Sequence, residues 1–252
     1  MQQDLEQVGL DAVDKFINSW NARDPGLWAA SLNYPHVRPS PFGAIVVAKD
    51  AAEYAARVDF DRVIETGWDH SEWDYRQVIH TSSEKIHVAG QWSRYNVQGK
   101  VIHTNPVVYI VTLVDGSWGI QSRFSADYAD DDDTAGLETR AFNLIDDFGN
   151  HFNNDHVKAC SELLNYPHYD IGVGQLREHM DPDQFTITTS RITIGSLQVL
   201  QTGKQSLNAG LDFTLLDGSG SHALHAVANI TVREDHLGIQ AWSIVKAGAE
   251  ED

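Results

Sequence analysis

The pentapeptide Leu-Asn-Tyr-Pro-His occurs twice in the chain, at residues 32–36 and again at residues 164–168. The similarity extends upstream, because a phenylalanine followed by asparagines lies at the same distance before each copy, in residues 16–24 and 148–156. An internal repeat at this spacing indicates a duplicated domain, and it limits the fold to two copies of a unit of about half the chain.

The repeat also continues downstream, where Gly119-Ile-Gln pairs with Gly238-Ile-Gln. We place the first domain at residues 1–128 and a second, degenerate domain at residues 137–248. An acidic linker over residues 129–136 joins the two domains.

Composition excludes some partners. With 18 Lys and Arg residues against 36 Asp and Glu residues, the net charge of −18 argues against nucleic acid or an anionic membrane as a partner. No apolar stretch approaches the length of about 18 residues that a membrane span requires. A single cysteine, Cys160, excludes an intrachain disulfide and favours a reducing compartment, so we expect a cytoplasmic protein.

Each copy begins with helical patterns. In the first copy, apolar residues recur with the period of an amphipathic helix, at Val13, Phe16, Ile17 and Trp20. Asp24-Pro25 predicts the start of a second, short helix, and Asp50 predicts the cap of a third that ends near Val58.

Runs rich in β-branched and aromatic residues follow, separated by turns. In the first copy we predict strands at residues 76–81, 85–97, 100–114 and 118–124. In the second copy we predict strands at residues 186–194, 197–202, 206–216, 222–233 and 237–245. Each copy is therefore α+β, with about three helices packed on one face of a curved antiparallel sheet.

Three stretches of the first copy carry a family resemblance: residues 16–37, Gly67–Asp74 (GWDHSEWD) and Asp115–Phe124 (DGSWGIQSRF). The chain resembles the nuclear transport factor 2-like superfamily, whose members share a cystatin-like fold, and its two copies look most like SnoaL-like domains in tandem. This resemblance implies a cone, in which a bent sheet wraps a pocket and helices close its mouth. Such domains often dimerise through the sheet, so an intrachain pseudo-dimer is implied, with further homo-oligomerisation left open.

The segment Gly67–Asp74 is a candidate pocket rim, because Trp68 and Trp73 are suited to hold a ligand and His70 to move a proton beside Asp69 or Asp74. The alternative, which we favour, is a loop whose tryptophans fill the cone while its acids face water. The second copy has no equivalent segment, so the functional pocket is expected in the first domain.

Two adjacent strands add further candidates. Trp92 and Arg94 share one face of their strand, while His103, Asn105 and Tyr109 share one face of the next. These residues line the pocket if the two faces point inward, and lie in solvent if they point outward. The sequence leaves both alternatives open.

Arg123, on the last strand of the first copy, either neutralises an anionic ligand or pairs with an internal carboxylate, and the internal ion pair is favoured. No histidine spacing matches a dense metal motif, although a site built from His36, His70 and His103 is conceivable. We therefore predict no metal and no other cofactor.

The repeated pentapeptide is interpreted as scaffold. Asn33, Tyr34 and Pro35 fall where the second helix ends, and proline disfavours helix in the residue before it. Because the motif persists in the copy that lacks the Gly67–Asp74 segment, only His36 is kept as a candidate for chemistry.

Two functions remain open. The first is a cofactor-independent isomerase, cyclase or dehydratase that acts on a small hydrophobic or aromatic ligand. Its acids and bases would be His36, His70 and His103, with Asp69 or Asp74 as the orienting carboxylate. The second is a non-catalytic ligand-binding or assembly module. The superfamily contains members of both kinds, so the fold does not decide between them.

Overall fold

A computed structural model of the protein describes residues 4–39, 45–127, 134–188 and 190–247. The chain divides into two compact units, the first holding most residues up to Arg123 and the second most residues from Phe124 onward. Most of the acidic linker lies outside the described residues, and the domain boundaries proposed from the sequence stay predictions. None of the described helices is long and apolar enough to cross a membrane.

The first domain combines short helices with one six-stranded sheet of order β2-β1-β6-β5-β4-β3, in which β1 and β6 pair in parallel. Its elements are α1 (Leu5–Asn21), α2 (Pro25–Ala29), β1 (Leu32–Arg38), β2 (Val46–Ala48), α3 (Ala51–Ala55), α4 (Phe60–Glu65), β3 (His70–Thr81), β4 (Lys85–Tyr95), β5 (Val101–Val114) and β6 (Ser117–Ser125).

The second domain repeats this order, with a six-stranded sheet β8-β7-β12-β11-β10-β9 and a parallel pairing of β7 with β12. Its elements are α5 (Ala135–Asn153), α6 (Val157–Glu162), β7 (Leu164–Ile171), β8 (Leu176–His179), a 3-10 turn (Pro182–Gln184), β9 (Arg191–Thr202), β10 (Ser206–Asp217), β11 (Gly220–Arg233) and β12 (His236–Lys246). The shared strand order confirms the prediction of two tandem α+β domains.

The predicted helix signals of the first domain are confirmed. Val13, Phe16 and Ile17 are buried on the face of α1 that packs against the sheet. The carboxylates of Asp24 and Asp50 accept hydrogen bonds from backbone amides at the starts of α2 and α3. The additional helix α4 was not predicted, because its six residues are too short to show a hydrophobic period.

Three strand predictions were wrong. β3 begins at His70 rather than residue 76, so most of the Gly67–Asp74 segment is strand, not loop. β9 is one strand where two were predicted, because a register shift beside Gly195 lets β10 pair along its length. The first strand of each sheet, β1 or β7, begins inside the repeated pentapeptide and pairs in parallel, so neither sheet is wholly antiparallel.

The asparagine of the pentapeptide ties the first strand of each domain to its neighbours. Asn33 Nδ2 donates to Thr112 O at 2.7 Å and to Thr112 Oγ1 at 3.1 Å, across to β5. Asn165 Nδ2 makes the same two bonds to Thr231, at 2.7 and 2.8 Å. A Cβ on Gly119 would lie 2.8 Å from Asn33 Oδ1, so only glycine admits this contact.

The tyrosine of the motif also makes the same contact in both domains. The Tyr34 hydroxyl donates to Ala29 O at 2.8 Å, and the Tyr166 hydroxyl donates to Ser161 O at 2.9 Å. Both Tyr-Pro peptide bonds are cis. The repeated contacts of Asn33 and Tyr34 therefore support the scaffold interpretation in both copies.

We predict that Asn33→Ala lowers the free energy of unfolding by about 2–4 kcal/mol, because it removes the two buried hydrogen bonds that Asn33 Nδ2 donates to Thr112. Urea denaturation of the intact chain measures the loss. Asn18→Ala, at an exposed position of α1, is the control. A loss below about 0.5 kcal/mol for Asn33→Ala would show that the tie is dispensable.

Candidate functional site

The first domain has an aromatic interior between α1, α2, α3 and the sheet. Trp92 and Tyr109 are buried on the inner face, and the Tyr109 ring lies 5.7 Å from Phe16 of α1. The face of β4 that carries Trp92 and the face of β5 that carries Tyr109 therefore point into the domain. The rings that surround this interior are Phe16, Trp20, Trp28, Tyr54, Trp73, Trp92 and Tyr109.

Cross-strand pairing positions the remaining candidates on this face. Asn105 lies opposite Trp92, and His103 lies opposite Arg94 in the antiparallel pair of β4 and β5. His103 is exposed at the outer end of β5, where its ring meets Trp92 edge-on at 5.7 Å. The side chain is partly desolvated by its neighbours, and this partial desolvation, followed by the charge of Arg94, lowers the pKa of His103 below its ordinary value.

Arg123 enters the interior from β6 and is 7% exposed. Its Nη2 donates to the Tyr54 hydroxyl at 2.6 Å, and its guanidinium carbon lies 4.7 Å from the ring centre of Phe16. No carboxylate of the described residues lies within 4.0 Å of its nitrogens. The favoured prediction of an internal ion pair was therefore wrong: Arg123 is held by a hydroxyl and by aromatic faces.

Arg94 is held in a similar way. Its guanidinium carbon lies 5.1 Å from the ring centre of Trp20 and 5.6 Å from that of Trp92. Burial and then the charge of Arg123 lower the pKa of Arg94. Within the described part of the chain, Arg94 also lacks a carboxylate partner.

Arg38 was missed by sequence reasoning. It lies beside Arg123, because Val37 of β1 is in register with Ser122 of β6. Burial, followed by the charge of Arg123, lowers the pKa of Arg38 to about 10. The available signal was its position two residues after His36 on a strand, which puts both side chains on one face.

His36 is fully buried, and its Nδ1 lies 3.1 Å from Ile120 O. A carbonyl only accepts, so in the neutral ring Nδ1 carries the proton and Nε2 carries the lone pair. Nε2 has no hydrogen-bond partner. Burial, and then the charge of Arg123, lower the pKa of His36 well below 6.5, so the ring is neutral at pH 7.

The aromatic interior also contains polar atoms that lack partners. Buried nitrogen or oxygen atoms without a hydrogen bond to any described residue are Trp28 Nε1, His36 Nε2, Trp73 Nε1, Trp92 Nε1, Arg94 Nε, Tyr109 Oη and Arg123 Nε. Trp92 Nε1 approaches Tyr109 Oη closely enough to affect its pKa, but outside normal hydrogen-bond geometry. Native proteins rarely leave so many buried polar atoms unpaired in one place, so the cluster requires an explanation.

Residues 10–127, which span most of this domain, match a family model described as NTF2-like protein (DUF6841). The first domain is an NTF2-like domain. This match confirms the predicted superfamily resemblance for residues 10–127. No curated protein matches the chain.

Several solved structures are similar to parts of the chain. An NTF2-like protein of unknown function from Shewanella oneidensis MR-1 is 15% identical over 48% of this chain and 98% of its own, with a TM-score of 0.40. A domain of unknown function with a cystatin-like fold from Nostoc punctiforme PCC 73102 is 20% identical over 58% and 87%, with a TM-score of 0.43. A ketosteroid isomerase-like protein from Erwinia carotovora atroseptica SCRI1043 is 20% identical over 50% and 96%, with a TM-score of 0.39.

The Gly67–Asp74 segment of the NTF2-like domain contributes mostly to its framework. Trp68 is 2% exposed, packs 5.6 Å from the Trp20 ring, and donates from Nε1 to Ser71 Oγ at 3.0 Å. Asp74 lies at an irregularity in the β3–β4 pairing and accepts a hydrogen bond from Ser93 Oγ at 2.8 Å.

His70 stands at the outer end of β3, where its side chain is 37% exposed. Its ring stacks on Tyr95, and its Nδ1 lies 2.9 Å from Asp69 Oδ2, so these two residues form the expected histidine–carboxylate pair. His36, His70 and His103 have separate partners. The three are not among the described groups whose potential metal-binding atoms lie within 4.8 Å of one another.

The second domain satisfies the equivalent positions internally. His168 corresponds to His36, and its Nε2 lies 3.3 Å from Asp170 Oδ1, while Asp170 Oδ2 lies 2.9 Å from His179 Nε2. Burial raises the pKa of Asp170, but the hydrogen bonds and charges of the two histidines together lower it below its ordinary value. Asp170 occupies the position of Arg38, and Trp242 that of Arg123.

Cys160, in α6, is fully buried, and burial raises the pKa of its thiol to about 11. It therefore packs as a small apolar residue, as its place in the predicted helix indicated.

We predict that the neutral state of His36 makes stability depend on pH. Its folded-state pKa is lowered, so below about pH 6.5 this histidine is protonated in the unfolded chain but stays neutral in the folded domain. The free energy of unfolding is therefore unaffected by the titration of His36 above that pH. It decreases as the pH falls further, by at most about 1.4 kcal/mol per pH unit. Urea unfolding of the wild-type protein and of His36→Asn at pH 7, 6 and 5 measures the difference.

His70→Asn, which replaces a half-exposed ring, is the control. The wild-type protein should lose more stability than His36→Asn between pH 7 and 5, whereas His70→Asn should follow the wild type. Parallel curves for the wild type and His36→Asn would contradict a buried neutral imidazole.

Proposed function

We propose that the NTF2-like first domain binds a small organic molecule in its aromatic interior. The observation that carries this proposal is the set of buried, unpaired polar atoms among aromatic rings. Binding sites for small molecules combine apolar walls with a few polar groups that fix the ligand, and those groups lack partners until the ligand arrives. Arg94, Arg123, His36 and Tyr109 fit this description.

A role in assembly alone would not need these groups. An assembly surface is exposed, whereas the unpaired atoms of His36, Tyr109 and Arg123 face the domain's own interior. The second domain shows that the same scaffold closes with its histidine paired to a carboxylate. Unpaired groups in the first domain are therefore better explained by a ligand than by folding.

The proposal predicts that ligands found by thermal-shift screening of the full chain depend on Tyr109. Tyr109→Phe removes the buried hydroxyl with little change of shape and should weaken interior ligands by about fivefold, the equivalent of one hydrogen bond of about 1 kcal/mol. Tyr75→Phe is the matched control, since Tyr75 is 45% exposed. Calorimetric titration of each hit measures the affinity.

Two results would count against ligand binding in this interior. The first is a broad screen that yields no stabilising compound. The second is a set of hits whose affinities are the same for the wild type, Tyr109→Phe and Tyr75→Phe.

A second candidate, cofactor-independent acid–base catalysis, is favoured by the state of His36. The neutral imidazole has an Nε2 lone pair without a hydrogen-bond partner, which is available to accept a proton from a carbon next to a carbonyl. Such proton removal is the first step of many isomerisations, cyclisations and dehydrations. Asp69 orients His70 rather than His36, so that pair would serve as a separate acid–base group at the outer end of β3.

Proton exchange tests this candidate without knowledge of the product. Carbonyl-containing hits would be incubated with the protein in D2O, and NMR would follow deuterium incorporation next to the carbonyl. Catalysed exchange that is lost in His36→Asn but kept in His70→Asn supports His36 as the base. Binding without exchange would leave a non-catalytic ligand-binding domain.

A further inference from the structure

Three guanidinium groups converge on the aromatic interior of the first domain. We call Arg38, Arg94 and Arg123 the guanidinium cluster. Arg38 and Arg123 are neighbours across β1 and β6, and the charge of Arg123 is felt by both Arg38 and Arg94. His36 and the hydroxyls of Tyr54 and Tyr109 stand among them.

The cluster has no negative partner among the described residues. No carboxylate oxygen lies within 4.0 Å of Arg38, Arg94 or Arg123 there, although the chain carries 36 acidic residues against 18 basic ones. Acidic residues are thus abundant in the sequence, yet none of the described ones pairs with the guanidinium cluster. Other arginines of the same domain do find them, as Arg76 does with Asp14 at 2.7 Å.

Such a cluster is unfavourable without an anion. Buried like charges repel one another and lose hydration, and burial is the first cause of the lowered pKa of Arg38 and of Arg94. The aromatic faces around Arg94 and Arg123 offset only part of this cost. The second domain avoids the cost, because Asp170, Leu215 and Trp242 occupy the positions of Arg38, Arg94 and Arg123.

We propose that the ligand of the first domain is an organic anion, whose carboxylate is held by the guanidinium cluster and whose body packs against the aromatic interior. The inference rests on the proposed ligand-binding function and adds the chemical class of the ligand. Guanidinium groups bind carboxylates through paired, charge-assisted hydrogen bonds, and the unpaired Nε atoms of Arg94 and Arg123 supply donors. Tyr109 Oη supplies another.

The neutrality of His36 fits an anionic ligand. Its Nε2 lone pair would accept a hydrogen bond from a ligand hydroxyl or carbon acid instead of adding a fourth positive charge. The aromatic lining favours a planar, unsaturated body over an inorganic ion, because rings stack on rings and on guanidinium planes. Inorganic phosphate carries the negative charge of such a ligand but has no aromatic part to pack against these rings.

The test compares anions with neutral analogues of the same shape. Calorimetric titrations of the full chain would use benzoate and 2-naphthoate, their primary amides, and inorganic phosphate. We expect 2-naphthoate to bind at least about tenfold more tightly than 2-naphthamide, as charge-assisted hydrogen bonds require, and more tightly than phosphate.

Arginine variants assign the charge preference to the cluster. Arg123→Gln and Arg94→Gln should each reduce the carboxylate-to-amide ratio of affinities to near one. Arg62→Gln, at an exposed position of α4, is the control and should keep the wild-type ratio. If Arg123→Gln fails to fold, Arg94→Gln and the carboxylate–amide comparison in the wild type still decide the question.

The outcomes separate the inference from the proposed function. Equal binding of 2-naphthoate and 2-naphthamide would overturn the anionic ligand while leaving ligand binding in place. Binding of neither, together with a screen without hits, would overturn both. Tighter binding of phosphate than of any aromatic carboxylate would contradict a ligand with an aromatic part. A carboxylate-to-amide affinity ratio unaffected by both arginine variants would show that the guanidinium cluster is not the anion site.

Discussion

The side-chain amide of the pentapeptide asparagine, Asn33 in the first domain, is the interaction on which the rest of each domain depends. It joins β1 to β5 across the turn at Asp115-Gly116, where both residues have positive φ. With Gly119 closing tightly on it, this amide fixes how the first strand meets the rest of the sheet. The second domain repeats the contact through Asn165, Thr231 and Gly238.

A fixed scaffold allows the interior to diverge. In both domains the histidine of the pentapeptide bonds to the carbonyl of an isoleucine on the parallel neighbour, at 3.1 Å for His36 and 2.9 Å for His168. In the second domain the other ring nitrogen meets Asp170, whereas in the first it has no hydrogen-bond partner and lies near the charges of Arg123 and Arg38. The two domains therefore differ at this histidine, which has a carboxylate partner in the second domain and none among the described residues of the first.

The fold was largely predictable because its signals are local or repeated. The caps at Asp24 and Asp50, the amphipathic α1 and the pentapeptide can each be recognised without tertiary structure. The starts of β1 and β3 were not predicted, since a Tyr-Pro bond resembles a helix exit and the charged residues of His70–Asp74 resemble a loop. Both segments become strands because a paired neighbour takes up their backbone hydrogen bonds.

The candidate site was predictable only in part. Trp92, Arg94 and Tyr109 follow from strand alternation once the inward face is known. Convergence of Arg38 with Arg123 requires the parallel pairing of β1 with β6, which the sequence does not reveal. One signal was nevertheless present: the pentapeptide is followed by Val37-Arg38 in one copy and by Tyr169-Asp170 in the other. A charge reversal beside the repeated histidine marks where the two interiors differ.

The most direct test of an anion site at the guanidinium cluster is NMR observation of its arginine Nε–H groups during a titration. Buried Nε–H groups exchange slowly and give resolved signals, so those of Arg94 and Arg123 can be assigned through the Arg→Gln variants. We expect 2-naphthoate to shift these two signals and to leave that of Arg62 in place, whereas 2-naphthamide should have little effect. Signals of Arg94 and Arg123 that stay unmoved while other residues respond to the carboxylate would contradict an anion site in the first domain.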